Sequence, residues 1–247
     1  EDLAGIDVMV YDIQDLGVRF YTYISTMHYV MEACAENGIP LIILDRPNPN
    51  GHYTDGPILE PEFRSFVGLH PIPVVYGMTA GELAQMINGE GWLAKGIKCD
   101  LKVIKCSGYT HRTAYDIPVN PSPNITSMEA VYLYPTLCFF EGTIMNVGRG
   151  TDFPFRVIGS PDYPDKTFSY TPVPNAGNAN PMHNGKVCYG RDFTAMDKKS
   201  LAEIGNIRLE WIIDAYKKMG RRSDFFTAYF NTLAGTSKLK DQIVSGL

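Results

Sequence analysis

Residues 7–23, with the sequence DVMVYDIQDLGVRFYTY, decide the fold of this chain. The segment starts with an almost continuous apolar run that closes on Asp12, as is typical of a strand buried on both faces of a parallel sheet. Residues 21–37 follow with their apolar side chains on one side of a helix, and residues 40–45 repeat an apolar run that ends on a carboxylate. This order predicts a strand, helix and strand crossover in which both strands are parallel and end at the same edge of the sheet.

Polar side chains gather at this predicted edge. In open α/β sheets, ligands bind outside the carboxyl ends of the strands. The first candidates for chemistry are therefore Asp12, Asp15, Arg19, Asp45, Arg46 and Asn48. An Asp at a strand end also serves as a helix cap or a loop anchor that accepts hydrogen bonds from backbone amides, so both interpretations stay open.

A second unit of the same kind follows a long loop rich in Pro, Asn and Gly. Residues 72–76 and 101–105 read as strands around a helix over residues 79–88, in which Thr79 and Glu82 form a capping box. The predicted fold class is α/β, with a Rossmann-like parallel sheet domain. No glycine-rich phosphate-binding motif follows any of the strands, so we expect neither NAD nor ATP and predict no cofactor.

A proline-rich bridge at residues 118–123 marks a change of pattern. We place a domain boundary there, with the Rossmann-like domain at residues 1–122 and a smaller α+β C-terminal domain at residues 123–247. Helices are predicted in the second part over residues 200–219, 223–234 and 237–245.

Glu141 is the most informative carboxylate of the second part. It follows Phe139 and Phe140 directly and precedes Arg149 by eight residues. Desolvation by the two rings favours the protonated carboxyl that a general acid needs, whereas pairing with Arg149 at a strand end favours a structural anion. The residues alone favour the ion pair.

Composition limits the function. The chain has 247 residues, 45% of them hydrophobic, which suffices for one large or two ordinary domains. Its net charge is −5 and its basic residues are scattered, so nucleic acid is not an expected partner. No apolar run approaches the roughly 20 residues of a membrane span. The five cysteines lack metal-ligand spacing, so no metal site is predicted.

Several motifs, in order along the chain, resemble the NamZ-type exo-β-N-acetylmuramidases, a family long carried as a bacterial domain of unknown function. The matching segments are YDIQDLGVRFYTYISTM (11–27), LDRPNPNG (44–51), DGPILE (55–60), SFVGLHPIPVVYGMT (65–79), PSPN (121–124), LYPTLCFFEGT (133–143), GRGTDFPF (148–155) and GKVCYG (185–190). The resemblance implies an active site in a cleft between two domains and release of N-acetylmuramic acid from the non-reducing end of peptidoglycan fragments. It also implies export to the periplasm or the cell exterior.

The resemblance assigns roles to the polar residues. The lactyl carboxylate of N-acetylmuramic acid suits a bidentate arginine, for which Arg19, Arg46 and Arg149 are the candidates. Other predicted substrate contacts are Tyr21, Asp45, Asn48, Asn124 and Asp152. The predicted general acid and base are Glu141 and Glu60, with Asp12 and Asp15 as alternatives. We expect Asp12, Arg19, Asp45 and Glu141 to line one cleft.

The chain departs from the family pattern in two places. An upstream S-P-E-H-G motif, which contains a candidate catalytic Glu, is absent from it, and Tyr76 stands where His is common. Glycoside hydrolysis generally uses two carboxylates that flank the scissile bond, so we expect this chain to hold one of the pair and to be weakly active or inactive alone. A non-catalytic muropeptide-binding protein is the main alternative; an enzyme for a phosphorylated sugar is disfavoured by the missing phosphate loops.

Overall fold

The computed structural model describes residues 3–246. Its helices and strands are β1 Met9–Tyr11, α1 Tyr23–Asn37, β2 Leu41–Leu44, α2 Ala80–Gly89, β3 Leu101–Ile104, α3 Met128–Leu137, β4 Val157–Ser160, β5 Ser169–Tyr170, β6 Cys188–Asp192, α4 Lys198–Ala202, α5 Leu209–Lys218, α6 Ala228–Ala234 and α7 Lys238–Ser245. β1, β2 and β3 form a parallel sheet in that order, and β4, β6 and β5 form an antiparallel one. The predicted α/β part followed by an α+β part is confirmed.

Several local predictions for the first half of the chain, which ends at the predicted boundary at residue 122, are confirmed. Leu41 pairs with Met9 on one side and Leu101 on the other, so the predicted parallel strands end at a common edge. α1 ends before Gly38, which takes up a left-handed conformation with φ 65°. The predicted capping box is present at the start of α2.

The parallel sheet is covered on one face only. α1 and α2 pack against the face that contains Tyr11, Leu41 and Ile43. On the other face Val8 and Val10 are 45% and 51% exposed. The prediction that β1 is buried on both faces is therefore wrong for the part of the chain that is described.

Three predicted elements differ from the structure. Residues 72–76 form no regular strand, since Val75 makes only isolated bridges to Val18 and Asp55. The predicted helix over residues 200–219 is divided into α4 and α5. Glu141 does not follow a strand: it lies in a 3-10 turn, Cys138–Gly142, that continues directly from α3.

The loop after β1 connects the two halves. Leu16, Val18 and Phe20 are buried in a core that also contains Phe139 and Phe140. A loop of the first half thus supplies part of the second half's core, while the boundary at residue 122 stays a prediction. No helix within residues 3–246 combines the length and the apolar character needed to cross a membrane.

Candidate active site

A cavity of about 350 Å³, here called the edge cavity, opens at the carboxyl edge of the parallel sheet. Its lining residues are Asp12, Ile13, Gln14, Tyr23, Arg46 and residues 117–121. Asp12 follows β1 and Arg46 follows β2, and Arg46 Nε donates to Asp12 Oδ1 at 2.7 Å. Among the described residues the two Nη groups of Arg46 have no hydrogen-bond partner. Arg46 can therefore bind an anionic ligand through its Nη groups while its Nε keeps the hydrogen bond to Asp12.

Gln14 lines this cavity. Its Nε2 donates to the carbonyl oxygens of Asp15 and Pro47 at 2.7 and 2.9 Å, which fixes the amide plane. Its Oε1 is buried without a partner in the described part of the chain. An unpaired buried acceptor is costly, and because this atom is inaccessible in the structure, a ligand reaches it only if the Gln14 side chain moves. The sequence prediction did not include Gln14 among the site residues.

A smaller cavity of about 120 Å³, here called the Glu141 cavity, lies in the second half. It is lined by Glu141, Met145, Asn146, Val147, Arg149, Asn178 and Met182. Arg149 Nε donates to Glu141 Oε1 at 2.5 Å, and the Cys138 thiol donates to Glu141 Oε2 at 3.4 Å. The guanidinium of Arg149 also lies over the Phe155 ring, 4.9 Å from its centroid. The predicted pairing of Glu141 with Arg149 is confirmed.

Asn146 shapes the turn that carries Arg149. Its Oδ1 accepts from the Gly148 amide at 2.6 Å and its Nδ2 donates to the Met182 carbonyl at 2.9 Å. Gly148 has φ 80°, and a Cβ there would lie 2.4 Å from the Phe153 carbonyl oxygen, so only glycine fits. Sequence reasoning missed Asn146, although an Asn two residues before a Gly is a known turn signal.

A row of aromatic rings connects the two cavities. Tyr23, in the edge cavity, contacts Tyr21 edge-on with ring centroids 4.9 Å apart. Tyr21 contacts Tyr134 at 6.1 Å, and Tyr134 contacts Phe155 at 4.8 Å. The guanidinium of Arg149 in turn lies over the Phe155 ring. The Asp12–Arg46 pair and the Glu141–Arg149 pair therefore lie at the two ends of this row of aromatic rings.

Comparison with known proteins places the chain in a family. The model described as "Exo-beta-N-acetylmuramidase NamZ, N-terminal" matches residues 1–129, and the corresponding C-terminal model matches residues 132–247. The chain belongs to the NamZ family. The peptidoglycan beta-N-acetylmuramidase NamZ of Bacillus subtilis (strain 168) is 40% identical over 273 residues, an alignment that covers 100% of this chain and 62% of that protein.

Two solved structures from Bacteroides fragilis NCTC 9343, both described as DUF1343 family proteins, share the fold of this NamZ family member. The first has a TM-score of 0.94 with 46% identity and the second a TM-score of 0.79 with 29% identity. In both cases the match covers 97% of this chain and 68% of the solved one. The two-part architecture is thus shared with experimentally determined relatives.

Two residues at the carboxyl edge that were predicted to contact the substrate, Asp45 and Asn48, form hydrogen bonds within the protein. Asp45 accepts from the Thr79 hydroxyl at 2.6 Å and from the Gly81 amide at 2.9 Å, so it anchors the start of α2. Asn48 is buried and donates to the Met78 carbonyl at 2.8 Å. A Cβ on residue 17 would lie 2.2 Å from Asn48 Oδ1, so this position has no room for any side chain and requires glycine. The helix-cap interpretation is confirmed for Asp45.

Three further predicted contacts are buried. Arg19 is fully buried and donates to four backbone carbonyls, so it does not reach a substrate carboxylate and that prediction is wrong. The Tyr21 hydroxyl donates to the Pro121 carbonyl at 2.7 Å, and the Asn124 amide donates to the Gly177 carbonyl at 2.7 Å. Tyr23, two residues after Tyr21, is the tyrosine that lines the edge cavity.

Glu60 and Asp152 lie away from both cavities. Lys238 of α7 donates to Glu60, and hydrogen bonds from Lys238 and Thr236 hold the pKa of the Glu60 carboxyl below its usual range. A general acid needs the opposite shift, so Glu60 does not suit that role. Asp152 is exposed and makes no side-chain hydrogen bond with any described residue. The expectation that Asp12, Arg19, Asp45 and Glu141 line one cleft is wrong for Arg19, which is buried. For the other three residues it stays a prediction, and Asp12 and Glu141 border different cavities.

Asp15 is a buried carboxyl beneath the edge cavity rather than part of its wall. Tyr76 donates its hydroxyl to Asp15, and the Gly17 amide donates at 2.6 Å. Burial raises the pKa of Asp15 to about 6, although these two hydrogen bonds oppose the shift. Within residues 3–246 no group of three His, Cys, Asp or Glu side chains could hold a metal ion.

We expect Asp15→Asn to remove a pH dependence of stability. Below the ordinary pKa of about 4, Asp15 is protonated in both states; as the pH rises, the unfolded chain loses the proton first, while the folded chain holds it to about 6. Stability therefore falls with rising pH, by about 3 kcal/mol between pH 4 and 7. Urea unfolding of both proteins across this range measures the effect. Parallel curves for wild type and variant would contradict it.

Proposed function

We propose that this chain forms part of an exo-β-N-acetylmuramidase that releases N-acetylmuramic acid from the non-reducing end of peptidoglycan fragments. The observation that carries the proposal is the match to both NamZ family models over almost the whole chain. The Bacillus subtilis relative, of which the chain spans 62% of the length, is named a peptidoglycan beta-N-acetylmuramidase.

The edge cavity supports this substrate. Its volume of about 350 Å³ is within the range of small-molecule sites. The free Nη groups of Arg46 suit the lactyl carboxylate, and the Tyr23 ring offers an apolar wall to a pyranose face. An anion site and an aromatic ring are groups that suit an N-acetylated sugar acid.

Two carboxylates remain candidates for the hydrolysis step. Glu141 and Asp12 border the Glu141 cavity and the edge cavity, whereas Asp15 is buried. Glu60 borders a further cavity of about 650 Å³, where its carboxylate is paired with Lys238. A carboxylate paired with a guanidinium can accept a proton from water as that water attacks the anomeric carbon, while an acid protonates the departing oxygen. We propose Glu141 as the first of these groups and Asp12 as the alternative.

Hydrolysis of a chromogenic N-acetylmuramide tests the proposal. We expect release of the chromophore from the N-acetylmuramide and little from the matching N-acetylglucosaminide, which lacks the lactyl carboxylate. The full-length protein should be assayed beside this chain. Saturable binding of N-acetylmuramic acid without any hydrolysis by the full-length protein would instead identify a muropeptide-binding protein.

Arg46→Gln is expected to raise KM for the N-acetylmuramide by at least about tenfold, since a charge-assisted hydrogen bond contributes roughly 1.5–3 kcal/mol. kcat should change much less, because the lactyl group is remote from the bond that breaks. Arg112→Gln is the matched control, since Arg112 is exposed and makes no side-chain hydrogen bond with a described residue. An unchanged KM in Arg46→Gln would remove Arg46 from the site.

A further inference from the structure

A third cavity, here called the Trp92 cavity, has a volume of about 350 Å³. It is lined by Leu59, Pro61, Arg64, Leu69, Pro71, Gly91 and Trp92, none of which borders the edge cavity or the Glu141 cavity. Trp92 lies between the end of α2 and the start of β3, and therefore near the amino ends of the strands. The edge cavity is at their carboxyl ends, so the two sites are separate.

The indole of Trp92 is held in a fixed orientation. It stacks on the His70 ring, with centroids 5.7 Å apart and an interplanar angle of 29°. His70 is buried and its Nε2 lies 3.0 Å from Nδ1 of His28, which is also buried. Burial lowers the pKa of His70 to about 3, so the ring is neutral at physiological pH and the charge at this cavity comes from Arg64. A rigid, partly exposed ring is a suitable platform for the apolar face of a sugar.

Arg64 supplies an unused positive charge at the same cavity. Its side chain is exposed, and no described residue forms a hydrogen bond or an ion pair with its guanidinium. The nearby rings of Tyr29 and Phe66 stack in parallel at 6.2 Å and are 49% and 48% exposed. Phe66, two residues after Arg64, therefore adds exposed aromatic surface near the cavity.

We propose that the Trp92 cavity is a second saccharide site, distinct from the edge cavity, that binds a sugar carrying a carboxylate. The sugar face stacks on Trp92 and the carboxylate pairs with Arg64, while Leu59 and Leu69 contact the methyl groups. The choice of N-acetylmuramic acid as this sugar rests on the proposed function; the aromatic and cationic character of the site does not. Such a site would hold one part of a cell-wall fragment while another part occupies the edge cavity.

Fluorine NMR of the protein labelled with 5-fluorotryptophan tests this site directly. The chain has two tryptophans, so Trp92 and Trp211 give two resonances that Trp211→Phe assigns. Trp211 is 8% exposed in the second-half core and serves as an internal reference. Addition of N-acetylmuramic acid is expected to shift the Trp92 signal saturably and to leave Trp211 unchanged, while N-acetylglucosamine, without the carboxylate, binds at least about tenfold more weakly.

Matched variants decide the assignment. Arg64→Gln should weaken the Trp92 response at least about tenfold, whereas Arg112→Gln and Arg46→Gln should leave it unchanged. No shift at Trp92, an equal response to both sugars, or an unaltered response in Arg64→Gln would overturn the proposal. Hydrolysis of the N-acetylmuramide without a Trp92 response would refute this site alone. An Arg64-dependent response without hydrolysis would support the site and refute the proposed activity.

Discussion

Glu141→Gln is expected to lower kcat for the N-acetylmuramide by about 10²-fold or more in the full-length protein, the usual scale for loss of a positioned acid or base. Glutamine keeps the volume of Glu141 and can still accept from Arg149 Nε, but it cannot take up or return a proton. The ion pair is only partly buried, with 22% of the Glu141 side chain exposed, so its loss should cost about 1 kcal/mol or less. Measurement of kcat and melting temperature on one preparation separates the two effects.

Glu60→Gln is the matched control for this variant. It makes the same chemical change and also breaks an ion pair, that with Lys238, but away from both the edge cavity and the Glu141 cavity. We expect its kcat to stay within about twofold of wild type, since it borders neither candidate site. Normal turnover in Glu141→Gln together with a lower melting temperature would make Glu141 a structural anion, and Asp12→Asn would then be the variant to examine.

Arg19→Met is expected to destabilise the protein by about 4 kcal/mol or more. The guanidinium donates to the carbonyls of Pro57 and Ile72 in the first half at 2.8 and 2.7 Å, and to those of Leu233 and Ala234 in α6 at 3.1 and 2.7 Å. Burial lowers its pKa to about 10, so it remains charged at neutral pH. Methionine fills much of the space but leaves four carbonyls without their donor, each at a cost of roughly 1–3 kcal/mol.

The shift in urea midpoint measures this loss. Arg64→Met provides the control, because it removes an arginine of the same size from an exposed position and should change stability by less than about 0.5 kcal/mol. A loss below about 1 kcal/mol in Arg19→Met would mean that water replaces the guanidinium at these carbonyls. The junction between the two halves would then depend on apolar packing alone.

Local order was predictable because its causes lie within a few residues. The cap at Thr79 and the stop at Gly38 follow from short-range hydrogen bonding and backbone preference. The parallel pairing of Leu41 with Met9 follows from two apolar runs and the helix that connects them. The division of the predicted helix over residues 200–219 was not predictable in this way. Its apolar spacing continues across the break, where the backbone amides of Ile207 and Arg208 donate to the side chains of Asp55 and Thr136, which are far away in the sequence.

Sequence alone determined the α/β order, the family and the residue types of the site; tertiary structure decided which of those residues are accessible. Arg19 and Arg46 look equivalent in the sequence, yet Arg19 donates to four carbonyls from three distant segments while Arg46 borders a cavity. Likewise Tyr21 is buried and Tyr23 lines that cavity. Burial depends on segments far apart in the chain, such as α6 against the loop after β1, and no local pattern encodes which of them meet.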